Sequence, residues 1–226
     1  MNFDTNALTS LVLAIGGLGT GAYGLVDATK ALGGGVSRVG FGDIKQVISK
    51  LIPPASAAGG RASALTLESA FNTLRANWMN GMALADQKSI AKGLVKLNLT
   101  PQSAKGMAAA TGVDSDLLTR VATKLPSKQA LTNDETDVFG RFDLLLNALL
   151  DQAYQRGDQR YRNTAKVFAM VFSVGLGMLG SYTVLGRAHL LQGFVAGLLG
   201  VPLAPIAKDV ASTIQAGAKI AQFWKK

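Results

Sequence analysis

A chain of 226 residues with 16% charged residues carries less charge than the about 25% of an ordinary soluble domain, and the deficit is concentrated in three windows. The absence of cysteine excludes disulfides, thiolate metal sites and cysteine nucleophiles, and a single histidine, His189, argues against a histidine-built metal centre or a Ser-His-Asp triad. A net charge of +9 favours anionic partners, with lipid head groups ahead of nucleic acid for a chain already at a membrane.

The first uncharged window runs from Ala7 to Val26. Its 20 positions make a helix about 30 Å long, the thickness of the hydrocarbon core. A signal peptide would need a basic start, whereas Met1 to Asn6 holds no positive charge and includes Asp4, so a membrane span is expected. Gly33-Gly34-Gly35 then breaks the chain. This glycine run lacks the Gly-Lys-Ser/Thr ending of a phosphate-binding loop and reads as a hinge.

Val39, Ile44, Val47, Ile48, Leu51 and Ile52 follow, with Arg38, Lys45 and Lys50 among them. The spacing predicts a basic amphipathic helix lying on the lipid surface. A helix packed on the rest of a soluble domain fits the same pattern. Pro53-Pro54 ends it and Ala55 to Arg61 reads as a linker.

A small helical domain is expected next. Leu65, Leu67, Phe71, Leu74 and Trp78 mark one buried helix face, and Asp86 to Leu97 a second helix. Thr100-Pro101 is a helix start, Gly112 a stop, Asp114 or Ser115 a cap for Asp116 to Leu125, and Pro126 a further stop. Met107 to Val113 followed by Asp116 to Val121, with Arg120 and Lys124 on the second helix, resembles a DNA-reading helix-turn-helix, although Asp114 and Asp116 would sit at the end that approaches phosphates. A last helix begins at Asn133 or Asp134, where Asp134, Glu135 and Asp137 read as capping charges, and nothing but Gly157 stands between it and the next window.

Val167 to Gly186 and Ala188 to Ala207 are the second and third uncharged windows. With almost nothing between them they predict a helical hairpin turning near Gly186 to His189. Pro202 and Pro205 are expected to kink or end its second arm. Gly17 and Gly21, Gly193 and Gly197, and Ser173, Gly177 and Ser181 form small-residue rows of the kind that let helix backbones approach in lipid. No ionisable residue lies inside the windows, against a proton relay or ion carrier. Beyond Lys208, the residues Val210, Ile214, Ala218, Ala221 and Trp224 keep one face apolar, predicting a tail helix on lipid with Lys219, Lys225 and Lys226 at the surface.

Lys and Arg flank the windows on one side of the predicted topology. Lys30, Arg38 and Lys45 follow the first, Arg156, Arg160, Arg162 and Lys166 precede the second, Lys208 and the tail bases follow the third, and the hairpin turn holds only Arg187. The expected orientation is N-terminus outside, middle segment and C-terminus cytoplasmic.

Arg141-Phe142-Asp143, Tyr161-Arg162 and the ending Gly200-Val201-Pro202-Leu203-Ala204-Pro205 make the C-terminal part resemble a group of uncharacterised bacterial membrane proteins with one N-terminal span, a helical cytoplasmic segment and a terminal transmembrane hairpin. Arg141 stands where that group has tryptophan. The resemblance implies an inner-membrane location and no activity.

The sequence therefore predicts an all-α, three-span membrane protein divided at 1–32, 33–62, 63–165, 166–207 and 208–226. A non-enzymatic scaffold or adaptor is expected, homo-oligomeric or pore-forming, with lipids and its own copies or another protein as partners and with no cofactor. A membrane-tethered DNA-binding regulator is the alternative.

Overall fold

A computed structural model describes residues 5–52 and 66–223, with side chains for 6–52 and 66–216. The described chain is helical, without strands among those residues. In order, the helices are α1 (Thr5–Ala28), α2 (Ser37–Leu51), α3 (Leu67–Met79), α4 (Leu84–Leu97), α5 (Pro101–Thr111), α6 (Ser115–Lys124), α7 (Asn133–Leu185) and α8 (Leu190–Phe223). Three helices are long and apolar enough to cross a membrane, over Asn6–Ala31, Asn133–Leu185 and Arg187–Ala216.

The chain forms two compact units. Ser37–Tyr161 is one; Met1–Val36 together with Arg162–Lys226 is the other.

The helical unit, 37–161, folds as its local signals direct. The Thr100 hydroxyl accepts from the Ser103 amide at 3.2 Å and the Ser103 hydroxyl accepts from the Thr100 amide at 2.8 Å, a reciprocal cap with Pro101 at the first position. Gly112, at φ 73°, supplies the left-handed residue that ends α5. Asp114 then caps α6 through the amides of Asp116 and Leu117 at 2.9 and 2.8 Å. Helix α7 begins at Asn133, as expected, behind a Thr132 cap whose hydroxyl accepts from the Glu135 amide at 3.3 Å while Glu135 accepts from the Thr132 amide at 2.8 Å.

Phe142, Leu146, Leu150 and Tyr154 of α7 form the spine of the core, and α2 supplies Phe41, Ile44, Ile48 and Leu51 to it. Of the two expectations for α2, its packing is that of a helix laid on the rest of the domain, and Ser37–Tyr161 form one compact unit. Phe41, Ile44, Ile48 and Leu51 are buried in a face packed against α3 and α5, while Arg38, Val39, Gly42, Lys45, Gln46, Ser49 and Lys50 are exposed. Apolar surface gains as much from a protein core as from a bilayer, so periodicity alone does not distinguish the two. The expected linker from Pro53 to Arg61, with Leu65, lies outside the described residues.

The membrane-type unit contains α1, the second half of α7, and α8. Helix α7 passes Gly157 without interruption, because that glycine lies in a packed helix face. The hairpin turn falls where the sequence placed it: Gly186 adopts φ 89° and its amide bonds the Ser181 carbonyl at 3.0 Å. Helix α8 continues through Pro202 and Pro205, so of the two expected outcomes, a kink or an end, the helix does not end there. Each proline withholds one amide hydrogen, whereas breaking the helix would leave many more backbone groups without their partners. Val201, Ala204 and Ala207, around the prolines, are buried.

Candidate functional site

In lipid no hydrophobic gain draws helices together, so contact depends on how closely backbones approach. The membrane-type unit meets that requirement with glycine. A methyl group placed on Gly193 would lie 2.7 Å from Ser181 Cβ, one on Gly197 would lie 2.6 Å from the Ser173 carbonyl, and one on Gly177 would collide with the Gly193 carbonyl and stand 3.1 Å from the Gly197 amide. These pairings run in opposite senses along α7 and α8, as an antiparallel hairpin requires. Ser173, Gly177, Ser181, Gly193 and Gly197 thus face one another.

Helix α1 closes on α8 through a different set. Gly16 stands against Ala207, with the Leu203 carbonyl 3.0 Å from where its Cβ would be, and Gly19 stands against the carbonyl of Gly200, with the Val201 amide at 2.9 Å. Gly200 in turn fits beside the Ser173 hydroxyl and the Ile15 carbonyl. Gly17 and Gly21 are not part of this contact. Nothing lies within 4 Å of a Cβ on Gly17 or on Gly24, and Gly21 meets only the tip of Leu176 at 4.0 Å. Sequence reasoning missed Gly16, Gly19 and Gly200. Five glycines lie between positions 16 and 24 of α1, so a spacing of three was as available as a spacing of four, and nothing local chooses between those rows.

Several ionisable groups of the helical unit are drawn into pairs. Glu135, with a side chain 3% exposed, receives Lys124 at 2.7 Å and Arg120 at 3.7 Å. The hydrogen bonds from Lys124 and the Thr132 amide hold its carboxyl below the usual range, against the opposing effect of burial. The two bases that a DNA-reading helix would present are therefore engaged with an acid of their own chain. Burial pushes Asp143 upward, but Lys92 at 2.7 Å and Lys96 outweigh it and its pKa is lowered. Lys88 meets Asp151 at 2.5 Å. Among the described residues no group of three or more His, Cys, Asp or Glu is placed to hold a metal ion.

No family model, curated protein or solved structure matches the chain. The resemblance drawn from its C-terminal residues finds no counterpart in these comparisons, so the site rests on geometry.

The lipid-facing candidates divide by location. Arg38, Lys45 and Lys50 are exposed on α2, with Lys45 also 5.5 Å over the ring of Phe71. The side chain of Lys219, and Lys225 and Lys226 altogether, lie outside the described residues. His189 at the hairpin turn contacts Gln192 at 3.1 Å.

Proposed function

We propose that this protein is a non-enzymatic membrane scaffold that self-associates through α1 and carries the helical unit as its water-facing module. One observation supports this reading above the others. Helix α1 has two glycine rows: Gly16 and Gly19 are filled by α8, whereas Gly17, Gly21 and Gly24 present bare backbone with nothing but the tip of Leu176 near them. A bare glycine row in lipid is the feature on which a second helix packs closely.

The inside-positive distribution of Lys and Arg supports an N-terminus outside, with the helical unit and C-terminus cytoplasmic. Three crossings are consistent with that assignment. Because the chain has no cysteine, single cysteines at Gln129 and Gln192 probed with an impermeant maleimide in right-side-out and inverted vesicles test it: Gln192→Cys reacts from outside and Gln129→Cys only after inversion. The DNA-binding alternative draws no support from Arg120 and Lys124 as placed.

Self-association is tested by the protein mass in mild detergent, from light scattering with the detergent contribution subtracted. A defined multimer is expected for the native chain, and a monomer for Gly17→Leu combined with Gly21→Leu. A native monomer, or a double variant that keeps the multimer, overturns the reading.

A further inference from the structure

The helical unit begins at Ser37 and ends at Tyr161, and both ends touch one side chain. The Trp78 indole N–H donates to the Ser37 carbonyl at 2.8 Å, and the Trp78 ring stands edge-on to Tyr161 with centroids 6.4 Å apart. Tyr154, about two turns earlier on α7, meets the same ring at 6.4 Å. Trp78 belongs to α3, so a third element holds the beginning of α2 beside the last residues of the unit in α7.

The fit around this ring leaves little tolerance. Gly40 of α2 and Gly157 of α7 approach backbone to backbone: a Cβ on Gly157 would lie 2.6 Å from the Gly40 carbonyl, and one on Gly40 would lie 2.6 Å from a ring carbon of Trp78. Arg160 reaches Asp43 at 3.3 Å across the same two helices, with Arg160 largely exposed. An exposed ion pair of this kind contributes little by itself. Indole suits the central position because it combines a large apolar ring with one directional donor.

We propose that Trp78 is a clasp that fixes the spacing of the two points where the chain enters and leaves the helical unit. Ser37 follows the Gly33–Gly35 turn that comes after α1, and Tyr161 directly precedes the half of α7 that belongs to the other unit. The distance between these two connections is then set by the packing of α3, and any event that displaces α3 is passed to both connections at once. This goes beyond the scaffold reading and does not depend on self-association.

The test uses the full-length chain, whose lack of cysteine allows paired nitroxide labels. Val39→Cys with Gln159→Cys reports the clasp, and Lys105→Cys with Asn147→Cys reports the body of the helical unit, with distances read by double electron–electron resonance. The native background is expected to give one narrow peak for each pair. Trp78→Phe, which keeps a ring and removes the donor, and Gly157→Ala, which adds a Cβ against the Gly40 carbonyl, are expected to broaden the clasp pair toward longer distances and leave the body pair unchanged. A clasp pair that keeps its native distribution in both variants overturns the proposal. So does equal broadening of both pairs, which would make Trp78 an ordinary core residue.

Discussion

The two units place their side chains in opposite ways. In the helical unit the largest residues are innermost, Tyr154, Phe142, Ile44 and Leu150 among them, and lysines and arginines cover the outside. In the membrane-type unit glycine, alanine and serine occupy the interior, while Val167, Phe168, Val171, Leu179, Val184 and Leu191 face outward. The same apolar residues are hidden in one half and displayed in the other because the expected surroundings differ. Water drives large side chains inward; hydrocarbon solvates them as well as a core does, leaving close backbone approach to hold the helices. A core of large residues therefore fails by losing volume, and a core of glycines fails by gaining it.

The most damaging change should be a deletion in the helical unit. Phe142 is fully buried, and Phe142→Ala is expected to lower stability by about 3–5 kcal/mol, through lost transfer energy and the cavity left behind. Denaturant unfolding followed by the signal of Trp78 measures it, and a loss below about 1 kcal/mol would mean the core is looser than its burial indicates. In the membrane-type unit the opposite change applies. Gly197→Val adds bulk against the Ser173 carbonyl and should cost about 1–3 kcal/mol by overpacking, read as loss of the compact form in a detergent-titrated unfolding series. The equivalent enlargement at outward-facing Gly180, with nothing within 4 Å, should leave that midpoint in place.

Acid should separate the units further. Glu135 and Asp143 both titrate below their ordinary values of 4.5 and 3.8, so the unfolded chain takes up protons before the folded chain does. The stability they contribute is complete above the unfolded values and is lost as pH falls through the depressed folded ones. The midpoint of the helical unit should therefore drop below pH 4.5, and Glu135→Gln should flatten that dependence; an unchanged slope would show that the Lys124 pair contributes nothing. The uncharged windows have no such groups, and the membrane-type unit should respond less. The smallest effect is expected at Gly112, whose φ of 73° strains any residue with a Cβ. Gly112→Ala should cost about 1 kcal/mol, visible as a small shift in the thermal midpoint of the helical unit alone.

Local chemistry carried much of this architecture. Proline after Thr100, glycine at 112, aspartate at 114 and the paired Thr132 and Glu135 act within one helical turn, so the residues themselves fix where helices begin and end. Three uncharged windows of 20 residues likewise determine three helices able to cross a membrane, since length and composition suffice for that. Partner choice was decided only by the tertiary structure. Helix α2 has a face equally suited to lipid and to protein, and it is buried because α3 and α5 supply a complementary surface. The glycines of α1 offer two rows, and Gly16 and Gly19 are chosen over Gly17 and Gly21 by the position of Gly200 and Ala207, more than 180 residues away. Pro202 and Pro205 remain helical because the packing around them outweighs the two amide hydrogens they lack. In each case the periodicity of one helix states what it can bury, and only the approach of another segment states which surface it meets.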